Sequence, residues 1–223
     1  MRARYDNSRV RVTRKVSGES RPVVRQCDTD EPRRPGRRRR PASAPDPPKP
    51  SRRRPLMNEF WLSGPVEGVQ PLLVPAVHTF LQVRHDVRDL LSALSIEQLW
   101  MKFGQSAPIG FHAVHIAGAT DRLLTYARGD ALSDAQLDQL RNTEQSISGL
   151  DGGELISRVE RAMDAAIAQL RATKEATLLE PRQVGRKRLP STTLGLIAHA
   201  AEHAYRHAGQ IATLRRIVLG SRH

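Results

Sequence analysis

The segment HAAEHAYRHAGQI places His199, His203 and His207 at i, i+4 and i+8. On an α-helix a step of four residues rotates only about 40°, so neighbours in this series share a face one turn apart. This is metal-ligand spacing, and two overlapping pairs satisfy it, His199 with His203 and His203 with His207. The apolar pattern Leu196, Ala200, Ile211, Leu214, Val218 runs through His203 and His207. It predicts two imidazoles set into an apolar seam, where each loses hydration and needs partners for both nitrogens. A divalent cation meets that need. A second segment, FHAVHIAGATDRLL, holds His112 and His115. His115, in register with Ile116, Ala119 and Leu123, fits as a third ligand from a facing helix. His78, His85 and His223 show no such pattern.

Four long helices are expected to hold these residues. The first spans about 70–94, with Leu73, Val77, Phe80, Leu81, Val87, Leu91 and Leu94 on one stripe. Ser95 and Gln98 have capping-box spacing and open a short helical turn through Trp100. The second long helix runs from about Pro108 to Arg128, with Gly129 placed as its C-terminal cap. A polar stretch with one short helix (133–141) leads to the third, about 153–177, carrying Leu155, Val159, Met163, Ile167 and Leu170. A basic loop through Arg182 and Arg186-Lys187-Arg188 reaches Pro190, and Ser191 or Thr192 caps the fourth helix, which stops at Gly220. One apolar stripe per helix predicts an all-α four-helix bundle. The long links leave room for crossover connections.

Composition bounds the function. The 223 residues carry a formal net charge of +13, but residues 1–56 hold 18 of the 36 basic and 6 of the 23 acidic residues. The remainder, 57–223, is close to neutral. Residues 1–56 also hold 9 of the 15 prolines and lack apolar periodicity, so they read as a disordered extension, with Met57 expected as the true start. The charge therefore does not predict a specific nucleic-acid partner. The single cysteine, Cys27, lies in that extension, which excludes a thiolate metal site or cysteine nucleophile from 57–223. No continuous apolar run reaches the roughly 20 residues of a membrane span. A cytoplasmic protein is expected.

The pattern H-I-A-G-A-x-D-R-L-L in the second helix, followed by H-A-A-E-H-x-x-x-H-x-G-Q-I in the last, resembles the DinB-like superfamily of metal-binding four-helix bundles, including YfiT-type metal-dependent hydrolases and bacillithiol and mycothiol transferases. The resemblance covers about residues 70–219, and its most specific part is His203, His207, Gly209 and Gln210. It implies His115, His203 and His207 as ligands of a divalent metal, with His199 a neighbour. Three imidazoles leave coordination positions open on zinc, or on nickel, iron or manganese. The implied activity is transfer of a low-molecular-weight thiol to a small electrophile. The alternatives are hydrolysis, with hydroxide in place of the thiolate, and a non-catalytic stress-response protein. Bundles of this kind often pair, so a homodimer is expected.

Other polar groups receive lesser roles. Glu202 is expected in a surface ion pair with Arg206. Asp121 and Arg122 match the family pattern without a chemical step, Tyr126 and Tyr205 are read as packing residues, and Gln210 as hydrogen-bonding locally.

Overall fold

The computed structural model describes residues 59–142 and 149–220. The extension, the expected start at Met57 and His223 lie outside these residues. Six helices and one hairpin follow in order: α1 Val74–Leu91, α2 Ile96–Trp100, α3 Ile109–Arg128, α4 Asp134–Asn142, α5 Gly152–Ala172, β1 Pro181–Val184, β2 Leu189–Thr192 and α6 Thr193–Gly220. The all-α reading holds, and α1, α3, α5 and α6 form the bundle.

In the bundle, α1 packs against α5 and α6, and α3 packs against the same two. Helices α1 and α3 therefore stand diagonally, as do α5 and α6. Cross-helix partners give the directions. Arg84 pairs with Asp164 and Arg88 with Glu160, so α1 and α5 are antiparallel. The Gln169 amide donates to the Leu124 carbonyl and Trp100, just before α3, donates to Leu150, just before α5, so α3 and α5 run parallel. Helix α6 opposes α3. The order is up, down, down, up. The long first link joins diagonal α1 and α3, and the long second link runs the length of the bundle between parallel α3 and α5, the two places where room for crossovers was expected. The last connection also joins diagonal helices.

Helices α1 and α5 bury most of the stripe their sequences carry. Leu73, Val77, Phe80, Val87 and Leu91 are buried on α1, and Leu155, Val159, Met163, Ile167 and Leu170 on α5. Residue types at the ends set the limits. Pro71 and Pro75 lack N–H donors, and a 3-10 turn at Pro71–Leu73 leads directly into α1. Ser95 and Gln98 close a capping box on α2. Gly129 ends α3 at φ 91°, a left-handed conformation that suits glycine, and its N–H caps Thr125 and Tyr126. Helix α5 ends at Ala172, earlier than expected, and a 3-10 turn takes Glu175–Thr177.

The segment expected as a basic loop is instead an antiparallel hairpin, with Pro181 opposite Thr192 and Val184 opposite Leu189. Its strands are four residues long, too short for alternation to show, and each contains a proline. The hairpin fixes the register of α3 against α6. Arg182 Nε (2.9 Å) and Thr193 Oγ1 (3.3 Å) both donate to the Ala127 carbonyl, and the Thr192 hydroxyl caps α6 by accepting from Gly195 N–H at 3.0 Å.

Candidate metal centre

With Ala127 pinned to Thr193, antiparallel α3 and α6 bring residues about twelve positions further along each helix face to face. His115 Nε2 lies 3.0 Å from His203 Nε2, and His112 Nδ1 lies 2.9 Å from His207 Nδ1. The ring centroids of His115 and His203 are each 4.6 Å from that of His207. One ring nitrogen from each of His115, His203 and His207 can be chosen so that all three lie within 4.8 Å of one another.

These residues fit a cation. Two nitrogens bound to one ion at about 2.1 Å stand about 3.0 Å apart in octahedral and about 3.4 Å apart in tetrahedral geometry, so the His115–His203 separation already matches. The donors are also in the protonation state a metal needs. Burial holds all four imidazoles below their ordinary pKa. His115 is lowered to about 4, by burial first and then by His207 and His203. Neutral imidazoles offer lone pairs at pH 7.

The expectation that His203 and His207 sit within the seam needs correction. Ala200, Ala204 and Ala208 take the interior positions of α6, while His203 and His207 are half-buried at its edge. Alanines stand out little in a pattern of large apolar residues, yet they let α3 approach closely. A site at the edge is reachable by a small molecule.

Several neighbours fall where expected. His199 is exposed, with Nδ1 3.4 Å from Glu202 Oε2, and its ring centroid is 5.6 Å from that of His203, so it stays outside the cluster. Glu202 is exposed and accepts from Arg206 Nε at 2.8 Å, the surface pair predicted. Gln210 hydrogen-bonds His207, which partly opposes the lowering of the His207 pKa by burial. Tyr205, read as a packing residue, is instead exposed beside the groove between α1 and α6, outside the cluster of His115, His203 and His207. The basic tip Arg186–Arg188 belongs to the hairpin at the Ala127 end, about 18 Å along α3 from His115 at 1.5 Å per residue. It does not border the site.

Two groups were not assigned roles in advance. His112 is buried, 7% exposed, and its Nδ1 contact with His207 requires one ring to donate and the other to accept. With the proton on His207 Nδ1, the lone pair of His207 sits on Nε2, free for a cation. An outer partner of this kind fixes both tautomer and ring orientation. The FHAVH spacing held the signal, but only the packing separates the roles of His112 and His115. Phe111 adds an apolar wall, its ring stacked on His115 at 5.5 Å between centroids and 15° between planes.

The start of α3 is set by contact with α2. A Cβ on Gly110 would stand 2.6 Å from the Trp100 ring, whose Nε1 donates to the Leu150 carbonyl at 3.0 Å. Glycine at 110 is what allows the first turn of α3, and with it His112 and His115, to seat on Trp100.

A family model of the DinB superfamily matches residues 79–211, more than half of the chain and all four clustered histidines. The chain belongs to the DinB superfamily. Its fold is also similar to that of a conserved protein from Enterococcus faecalis, known from a crystal structure. The TM-score is 0.55 at 15% identity, over 67% of this chain and 98% of the other. No curated protein matches. Among the described residues of this DinB superfamily member, no helix is long and apolar enough to cross a membrane.

Proposed function

We propose that His115, His203 and His207 hold a divalent metal ion, zinc by first expectation, and that the protein transfers a low-molecular-weight thiol to a small electrophile. The observation that carries this reading is three neutral imidazoles from two facing helices, close enough to share one ion, half-buried rather than sealed. A structural zinc normally takes four protein ligands, whereas three leave room for a reactant. A bound cation supplies Lewis acidity and brings the pKa of a coordinated thiol or water toward neutrality.

The chain's own residues orient and desolvate. His112 holds His207, Phe111 shields one face of His115, and the edge position admits the electrophile. The thiol proton passes to solvent, sulfur bonds to the electrophilic carbon, and the leaving group departs with its electron pair. The same donor set is compatible with hydrolysis, in which water replaces the thiol. The reading also takes the protein as cytoplasmic and homodimeric, with exposed Trp61, Leu72 and Tyr205 supplying apolar surface for pairing.

The test is metal-dependent conjugation of a low-molecular-weight thiol to monochlorobimane. Turnover that needs both metal and thiol is expected, and is lost in His203→Ala. Ester hydrolysis without thiol would replace transfer by the hydrolytic reading. Neither activity in protein with metal bound would leave a non-catalytic metal protein.

A further inference from the structure

Arg122 is only 8% exposed, and among the described residues its guanidinium makes no hydrogen bond or ion pair at contact distance, with Asp121 and Tyr126 acting on its charge only from further away. Buried arginines are ordinarily paired, because a cation removed from water without an anion is destabilising. The adjacent Asp121 offsets part of the charge without touching the guanidinium. Asp121 Oδ2 accepts from Gln136 Nε2 at 2.6 Å, and that amide also donates to Thr125 Oγ1 at 2.8 Å.

The direction of the side chain is equally informative. A Cβ on Gly118 would stand 2.9 Å from Arg122 Nη1, and Gln139 of α4 reaches the same point. The guanidinium thus folds back along α3 over Gly118, which lies one turn from His115 on the same face. The guanidinium nitrogens are not among the fully sealed, unpartnered polar atoms of the described residues.

We infer that Arg122 is an anchor for a carboxylate carried by the molecule that occupies the histidine site. The planar fork of an arginine matches a carboxylate with two parallel N–H donors. A ligand with an acidic group at Arg122 and its reacting atom at His115, His203 and His207 gives the buried guanidinium a direct hydrogen-bonding partner and completes the open donor set. This assignment rests on the three histidines being the metal site, and it narrows the substrate class to acidic thiols or acidic electrophiles.

The experiment compares 3-mercaptopropionate with 3-mercapto-1-propanol, which differ in the carboxylate, as ligands of the cobalt-loaded protein, read from the sulfur-to-cobalt charge-transfer band. Wild type is expected to bind the acid at least about tenfold more tightly. Arg122→Gln abolishes the preference and leaves the affinity for the alcohol within about twofold. Arg122→Lys retains part of it. No preference in wild type, or a preference that survives in Arg122→Gln, would overturn the assignment. If the protein takes up no cobalt, the metal reading fails, and calorimetry of succinate binding to metal-free protein decides the anchor separately. Binding in wild type but not Arg122→Gln keeps it, and equal or absent binding removes it. The melting temperature guards against a purely structural role. Metal-free Arg122→Gln should melt no lower than wild type, and a drop of more than about 5 °C would make Arg122 a packing element instead.

Discussion

Replacing His112 by leucine removes the buried imidazole that contacts His207 Nδ1 from α3. The lost contact is one hydrogen bond between neutral rings at 2.9 Å, about 1 kcal/mol on its own. The His207 N–H is left facing an apolar surface, and the ring is freer to rotate away from His115 and His203. Outer partners of metal-bound histidines are typically worth 10- to 100-fold in metal affinity. Tenfold is about 1.4 kcal/mol, so the two magnitudes meet near the lower limit. We expect His112→Leu to bind zinc about tenfold more weakly, in competition with a chromophoric chelator at pH 7.5. His112→Gln, which keeps a side-chain acceptor, should stay within about threefold of wild type. Circular dichroism should show both variants helical. Unchanged affinity in His112→Leu would refute the orienting role. A loss as deep as that of His203→Ala would make His112 a ligand rather than a support.

Other outcomes follow from the same geometry. In metal-free protein, unfolded histidines titrate near 6.5 while folded His115 is lowered to about 4, chiefly by burial, so the unfolded chain binds more protons between these values. Stability is therefore complete above about pH 6.5 and is lost as pH falls toward 4. The shift corresponds to about 3 kcal/mol as an upper bound and to about 1–2 kcal/mol for a ring with solvent access. Urea midpoints equal at pH 7.5 and 5 would contradict this. Gly110→Ala forces a Cβ to 2.6 Å from the Trp100 ring and should cost about 1–3 kcal/mol, visible as a lowered melting temperature. Glu202→Gln removes only a surface pair with Arg206 and should leave zinc affinity within about twofold, whereas a large loss would place Glu202 at the metal.

The long helices and the three histidines were legible in the sequence because both signals are periodic. Large apolar side chains at spacings of three and four mark α1 and α5, and a spacing of four links His203 to His207. Features that depend on small side chains or on packing were hidden. Ala204 and Ala208 take the buried face of α6, which the pattern had given to the histidines themselves. The 181–192 hairpin is too short and too rich in proline and arginine to alternate. The role of His112 exists only across the α3–α6 contact, and the burial of Arg122 depends on the absence of a side chain at Gly118.

The central claim, one divalent ion held by His115, His203 and His207, is tested most directly by metal stoichiometry. Wild-type protein, loaded with zinc and freed of excess, is predicted to retain close to one equivalent by elemental analysis, and His115→Ala, His203→Ala and His207→Ala each to retain almost none while remaining helical. Negligible zinc in the wild type, or full retention in any one of the three variants, would contradict it.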